Sequence, residues 1–165
     1  MFFKKLKNEE NYLEFKNIIN DIRLHEKVKE MNNYMQHSST SCYNHCLHVA
    51  YYTYLICKKF KLDYFSAARA AMLHDFFLYD WRTGTDHEGA HAFTHPETAL
   101  SNAIEHFEIN EKEADIILNH MWPLTITKMP SCKESFLVSA MDKYCSLKEN
   151  FNRVKKVKWI PQFAK

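Results

Sequence analysis

The chain has 165 residues, 22 of them basic and 20 acidic, for a formal net charge of +2. This length suits one domain, 1–165, with a substantial hydrophobic core, and so even a charge balance argues against a nucleic acid polymer or a membrane as partner. Only two glycines and four prolines interrupt a composition rich in helix-propagating residues, which predicts an all-α fold.

The opening stretch Met1-Phe2-Phe3-Lys4-Lys5-Leu6-Lys7 is charged but carries no apolar run of signal-sequence length, and no later run is long enough to span a bilayer. The expected address is cytoplasmic, where five cysteines without the paired spacing of secreted scaffolds fit as reduced thiols. Residues about 8–20 and about 24–36 are predicted as two amphipathic helices covering the core, from Leu13, Ile18 and Ile19 and then Leu24, Val28, Met31 and Met35. After Ser38-Ser39-Thr40-Ser41, a long helix is expected to about Lys59, with Cys42, Cys46, Val49, Ala50, Thr53 and Cys57 on one face and His45 in its first turns. Cys42 and Cys46 flank His45 at helical spacing, but no second Cys/His pair completes a zinc site, and they read as small core residues.

Asp63 is a good N-cap for a helix running to about His74, whose apolar stripe of Ala68, Ala71 and Met72 leads on to Asp75. Residues 77–93 hold both glycines and read as a loop, and Thr94-His95-Pro96-Glu97 has the form of a capping box that places His95 at the start of the next helix. Asn110 with Glu113 caps a further helix, on which Ile116, Ile117 and His120 share a side and which Trp122-Pro123 ends. Ser131-Cys132-Lys133-Glu134 forms a second capping box, starting a helix with Phe136, Leu137, Ala140, Met141, Tyr144 and Leu147 as its apolar face and Asp142 at that face's border. The basic run Arg153, Lys155, Lys156 and Lys158 reads as a solvated helix end or tail.

Asp75 and Asp142 are carboxylates on core-facing stripes, where an ionised group is costly unless a partner compensates for lost hydration. No matching set of lysines or arginines shares those faces, so a divalent cation is the expected partner. Imidazoles together with carboxylates suit transition metals such as iron, manganese, zinc, cobalt or nickel. A lone histidine on an apolar face is ordinarily a hydrogen-bonded core residue. Here a helical His45, the His74-Asp75 pair, His95, His120 and Asp142 each fall at a helix end or on an inward face.

The order His45, His74-Asp75, Asp142 resembles the H…HD…D signature of the HD superfamily of metal-dependent phosphohydrolases. The strings Tyr43-Asn44-His45, Ala71-Met72-Leu73-His74-Asp75 and Met141-Asp142-Lys143 are similar to its motif surroundings. His95 and His120 stand where two-metal members carry two additional histidines. The resemblance covers about residues 41–150 and implies a helical bundle of about six or seven helices, with the helices of about 8–36 laid over it. The pair is not followed by the Glu-Asp of guanosine-tetraphosphate hydrolases. His120 also lacks the second His and the Gly-Tyr-Pro string of cyclic-di-GMP phosphodiesterases.

The resemblance implies one or two divalent metal ions. In the two-metal form Asp75 is the bridging, catalytic carboxylate, His45, His74 and Asp142 complete one site, and His95 and His120 serve the other. The implied substrate is a small-molecule phosphate ester, a nucleotide or another phosphorylated metabolite, attacked by a metal-activated water. Phosphoryl oxygens call for cations, and Lys143, Lys128 and Arg82 are the candidates. His91 and His87 are candidate substrate contacts. The same six ligands also resemble those of myo-inositol oxygenase and a related phosphonate-cleaving oxygenase, which use two irons and oxygen. A catalytically silent regulatory domain is the third alternative.

Overall fold

The computed structural model describes residue 3 and residues 6–37, 40–82 and 91–151. The basic run Arg153, Lys155, Lys156 and Lys158, and His87, lie outside the described residues.

Asn8 caps α1 (Glu9–Ile18), its side chain accepting from Asn11 N–H. The helix stops at Ile19, and α2 (Asn20–Leu24) and α3 (Glu26–Glu30) follow, separated by His25 in an extended conformation. Met31–Asn33 tighten into a 3₁₀ turn, with the Asn32 amide donating to the Lys29 carbonyl at 3.0 Å. The chain then enters a short antiparallel ladder of β1 (Met35–His37) and β2 (Thr40–Ser41), with an irregularity between Met35 and His37.

The helix expected over about 8–20 corresponds to α1, whereas the continuous helix expected over about 24–36 is corrected to shorter pieces and a β ladder. The β-branched pair Ile18-Ile19 propagates a helix poorly, and asparagine side chains at 32 and 33 compete with the backbone for hydrogen bonds. The buried positions shift as well. Tyr12, Phe15, Ile19, Ile22, Val28 and Met31 enter the core, whereas Leu13 and Leu24 are exposed.

Ser41 caps α4 (Cys42–Lys59), which runs through the middle of the fold with nearly every side buried. α5 (Tyr64–Leu73) is capped by Asp63 and packs most extensively on α4 through Ala67, Ala68, Ala70 and Ala71, whose small side chains admit close approach. α6 (His91–His106) begins before Thr94, so Thr94 and Pro96 lie inside the helix and the capping box expected there does not form; Glu97 pairs instead with Lys128. α7 (Glu111–Asn119) has the expected reciprocal cap between Asn110 and Glu113.

α8 (Lys133–Phe151) closes the bundle against α4 and α7. Glu134, expected in a capping box with Ser131, accepts from the Asp63 backbone N–H at 2.9 Å and so ties the start of α8 to the start of α5. The inward face of α8 is also corrected. Ser135, Val138, Ser139, Asp142, Cys145 and Glu149 are buried, while Phe136, Tyr144 and Leu147 face outward.

The described residues thus hold eight helices and one two-stranded ladder, an all-α bundle in agreement with the composition. No described helix is long and apolar enough to cross a membrane.

Candidate metal centre

Two of the inward histidines arise from the same piece of helix physics. The last carbonyls of a helix have no partner within it. His74 and His120 are the C-cap residues of α5 and α7, and each ring donates from Nδ1 to such a carbonyl, Ala71 at 2.8 Å and Ile117 at 2.7 Å. His95, one turn into α6, donates from Nδ1 to the His91 carbonyl at 2.7 Å. His45, in the first turn of α4, has its Nδ1 3.0 Å from a carboxylate oxygen of Glu149. Carbonyl and carboxylate oxygens only accept, so all four rings carry hydrogen on Nδ1, and each neutral ring presents a bare Nε2 to the interior.

Those four nitrogens converge on two carboxylates. Asp75 Oδ1 lies 3.1 Å from His95 Nε2 and 3.4 Å from His120 Nε2; its Oδ2 lies 3.3 Å from His74 Nε2 and 4.0 Å from His45 Nε2. Asp142 Oδ1 lies 3.1 Å from His45 Nε2 and 3.9 Å from His74 Nε2. Asp75 thus divides the imidazoles into two pairs, one at each oxygen. All six residues are buried.

Such a gathering of lone pairs is unstable by itself. His95 Nε2 and His120 Nε2 are 2.9 Å apart, a distance at which two acceptors repel unless a proton or a cation lies between them. His74 Nε2 and Asp75 Oδ1 are buried without a hydrogen-bond partner among the described residues.

The electrostatics point the same way. Burial opposes charge on His45, but bonds to Asp142 and Glu149 outweigh it and hold the imidazole well above its usual range; for His74, burial is outweighed chiefly by Asp75. Burial would push Asp75 and Asp142 up, yet His74 and the other imidazoles hold Asp75, and His45, His74 and Lys143 hold Asp142, well below the carboxylate range. His120 goes the other way, burial taking it down to about 4. The centre keeps its carboxylates ionised and demands positive charge. Transition-metal cations meet that demand with the imidazole and carboxylate donors they favour.

The groups around the centre were mostly invisible in the sequence. Glu149 is buried and accepts at one oxygen from His45 Nδ1 and at the other from His48 Nδ1, at 2.9 Å. It lies two turns beyond Asp142 on α8, and that spacing was the available signal, hidden by an apolar face placed on Tyr144 and Leu147. Gln36, read as the end of a helix, reaches in from β1 and donates to Asp75 Oδ2 at 2.6 Å. Ser146 donates to Asp142 Oδ1 at 3.3 Å. The Cys42 thiol donates to the Asp75 carbonyl, and burial pushes both Cys42 and Cys46 up, so these thiols stay protonated.

A cavity of about 930 Å³ opens over Asp75, His95, His120 and Asp142. Lys143 stands on its wall, with Nζ 3.1 Å from Asp142 Oδ2 and bonded to the His120 carbonyl. Arg82 also lines it, in a two-pronged pair with Asp80, and His91 lines it with Nδ1 3.0 Å from the Tyr79 hydroxyl. Lys128 is not among the lining residues, because its pairing with Glu97 holds it on the outer side of α6.

A family model described as HD domain matches residues 42–147, from the first residue of α4 into the last turns of α8. All six converging residues fall within that match. No curated protein and no solved structure matches the chain.

Proposed function

This chain belongs to the HD domain family, a superfamily of metal-dependent phosphohydrolases, and from that premise we propose that it hydrolyses a phosphate ester of a small metabolite, a nucleotide foremost. The observation that carries the proposal is the division of four inward-facing Nε2 atoms between the two oxygens of Asp75 at the floor of an open cavity. His45, His74, Asp75 and Asp142 would hold one divalent ion, and Asp75, His95 and His120 a second, with Asp75 as the catalytic, bridging carboxylate. Ions of iron, manganese, zinc, cobalt or nickel held there would lower the pKa of a bound water and would neutralise charge on phosphoryl oxygens.

The chain's own groups do the remaining work. Lys143 offers an ammonium group to a phosphoryl oxygen while its bond to the His120 carbonyl keeps it at the cavity wall. His91 and Arg82 line the same cavity and contact the remainder of the substrate, whereas Lys128 has no part in this scheme. The test is metal analysis of anaerobically purified protein, followed by a screen of phosphomonoesters, dinucleoside polyphosphates and cyclic nucleotides. Phosphate release without oxygen, abolished by chelation, is the expected result. Turnover that needs both ferrous iron and oxygen would replace the hydrolase with an oxygenase.

A further inference from the structure

His48 stands about one turn after His45 on α4, and no motif singles it out. Its Nδ1 lies 2.9 Å from Oε1 of Glu149, while His45 Nδ1 lies 3.0 Å from Oε2 of the same group. A carboxylate only accepts, so both rings present an N–H to it. Glu149 reaches the two histidines from α8 with its side chain 2% exposed, against 13% for His48. One bond thus leads inward to the metal centre, where His45 Nε2 faces Asp142 at 3.1 Å, and the other leads outward toward the surface.

A single bond does not fix a carboxylate. Held by His45 alone, Glu149 could swing about that bond, and its other oxygen would stay buried without this donor, which is costly. A donor on each oxygen sets both the position and the plane of the group, and with them the direction of the His45 ring. The two helices are joined beside this pair by other contacts. About one turn further along α4, the Tyr52 hydroxyl accepts from Lys148, the neighbour of Glu149 on α8, at 3.4 Å, and the Tyr52 ring packs edge-on against Tyr144. The task of the His48 bond is therefore local: it acts on Glu149 rather than on the pairing of α4 with α8.

We propose that His48 is a positioning residue of the metal centre: it locks Glu149, and through Glu149 it holds the His45 ring with hydrogen on Nδ1 and the Nε2 lone pair turned toward the cation. The role rests on the metal-centre reading of the site and not on the reaction carried out there.

Metal titration of chelator-stripped protein tests this role. His48→Leu fills the space of the ring without a donor, and the affinity of the folded protein for Zn²⁺ should fall about tenfold. His48→Asn, whose side-chain amide can bring a donor close to the place of Nδ1, should bind within about twofold of wild type. A second measurement needs no variant to fold: long-range proton–nitrogen NMR correlation of the Zn²⁺-loaded wild-type protein should show hydrogen on Nδ1 of both His45 and His48. Wild-type affinity in His48→Leu, an equal loss in folded His48→Asn, or a wild-type His48 without hydrogen on Nδ1 would overturn the role of His48 alone. Failure of the wild-type protein to bind Zn²⁺ or any other of the candidate ions would overturn the metal centre, and this role with it.

Discussion

Replacing Glu149 by Gln should weaken metal binding about 10- to 100-fold. Glu149 gives one oxygen to each of two ring N–H groups, His45 Nδ1 at 3.0 Å and His48 Nδ1 at 2.9 Å. The carboxylate is well suited to this, since burial is outweighed by the two imidazoles and its pKa is held down to about 2. A carboxamide has one acceptor and one donor end, so one histidine must lose its acceptor. If His45 responds by moving its proton to Nε2, it loses the lone pair that faces Asp142 at 3.1 Å. The affinity loss amounts to about 1.4–2.7 kcal/mol, and by linkage the same stability vanishes from the metal-saturated protein. For a chain of this length the melting temperature of the loaded form should drop by about 3–10 °C. Calorimetric titration of chelator-stripped protein with Mn²⁺ or Zn²⁺, paired with melts at and without saturating metal, measures both effects. Unchanged affinity, or an equal drop with and without metal, would mean that Glu149 is only a buried charge partner and that His45 needs no orienting group.

Asp75→Ala should abolish turnover while far-ultraviolet circular dichroism of the metal-free protein stays helical, because an apolar side chain replaces a buried charge on an apolar stripe; retained phosphatase activity would refute the site. Elemental analysis of protein purified with excess metal should give close to two ions per chain, since His95 and His120 need a cation as much as His45 and His74 do; a firm value of one would leave the 2.9 Å pair of Nε2 atoms without an explanation. Lys143→Met should raise KM for a phosphate ester by about tenfold with metal content intact, and an unchanged KM would remove Lys143 from substrate binding.

Legibility in the sequence followed the strength of local signals. The caps at Asp63 and Asn110 are short-range hydrogen bonds between neighbouring residues, and both form as the residue types predict. The stripe Ala68, Ala71, Met72 is buried as its spacing predicts, but α5 packs against both α4 and α7 and buries Ala67, Ala70 and Leu73 as well. On α8 the same rule failed. Phe136, Tyr144 and Leu147 are the larger apolar groups, but the inward face carries Ser135, Ser139, Asp142 and Glu149, because a polar centre is what that helix packs against. The pairing of Met35–His37 with Thr40–Ser41 was missed for a related reason, since Met31 and Met35 continue a helical spacing that this ladder overrides. Polar residues that act through other polar residues, Gln36 and Glu149 above all, have no periodic signature of their own.

The centre is also rigid for a reason visible in how each ring is held. In three of the four histidines the acceptor for Nδ1 is a main-chain carbonyl of the same helix, three or four residues back. Such an acceptor cannot rotate away, and at the ends of α5 and α7 it is a carbonyl that the helix leaves unmatched. Ending the helix and fixing the tautomer are then one interaction, so those rings pay little further entropy to face the cavity. His45 is the exception. It sits at the beginning of α4, where the unmatched groups are donors, and its Nδ1 hydrogen goes to a carboxylate. A side chain from the far end of α8 has to serve instead, which accounts for a buried glutamate two turns beyond Asp142. It follows that the pairing of α4 with α8 is the contact on which the first half of the centre depends. Changes that loosen that pairing should reach His45 before they reach the other three imidazoles.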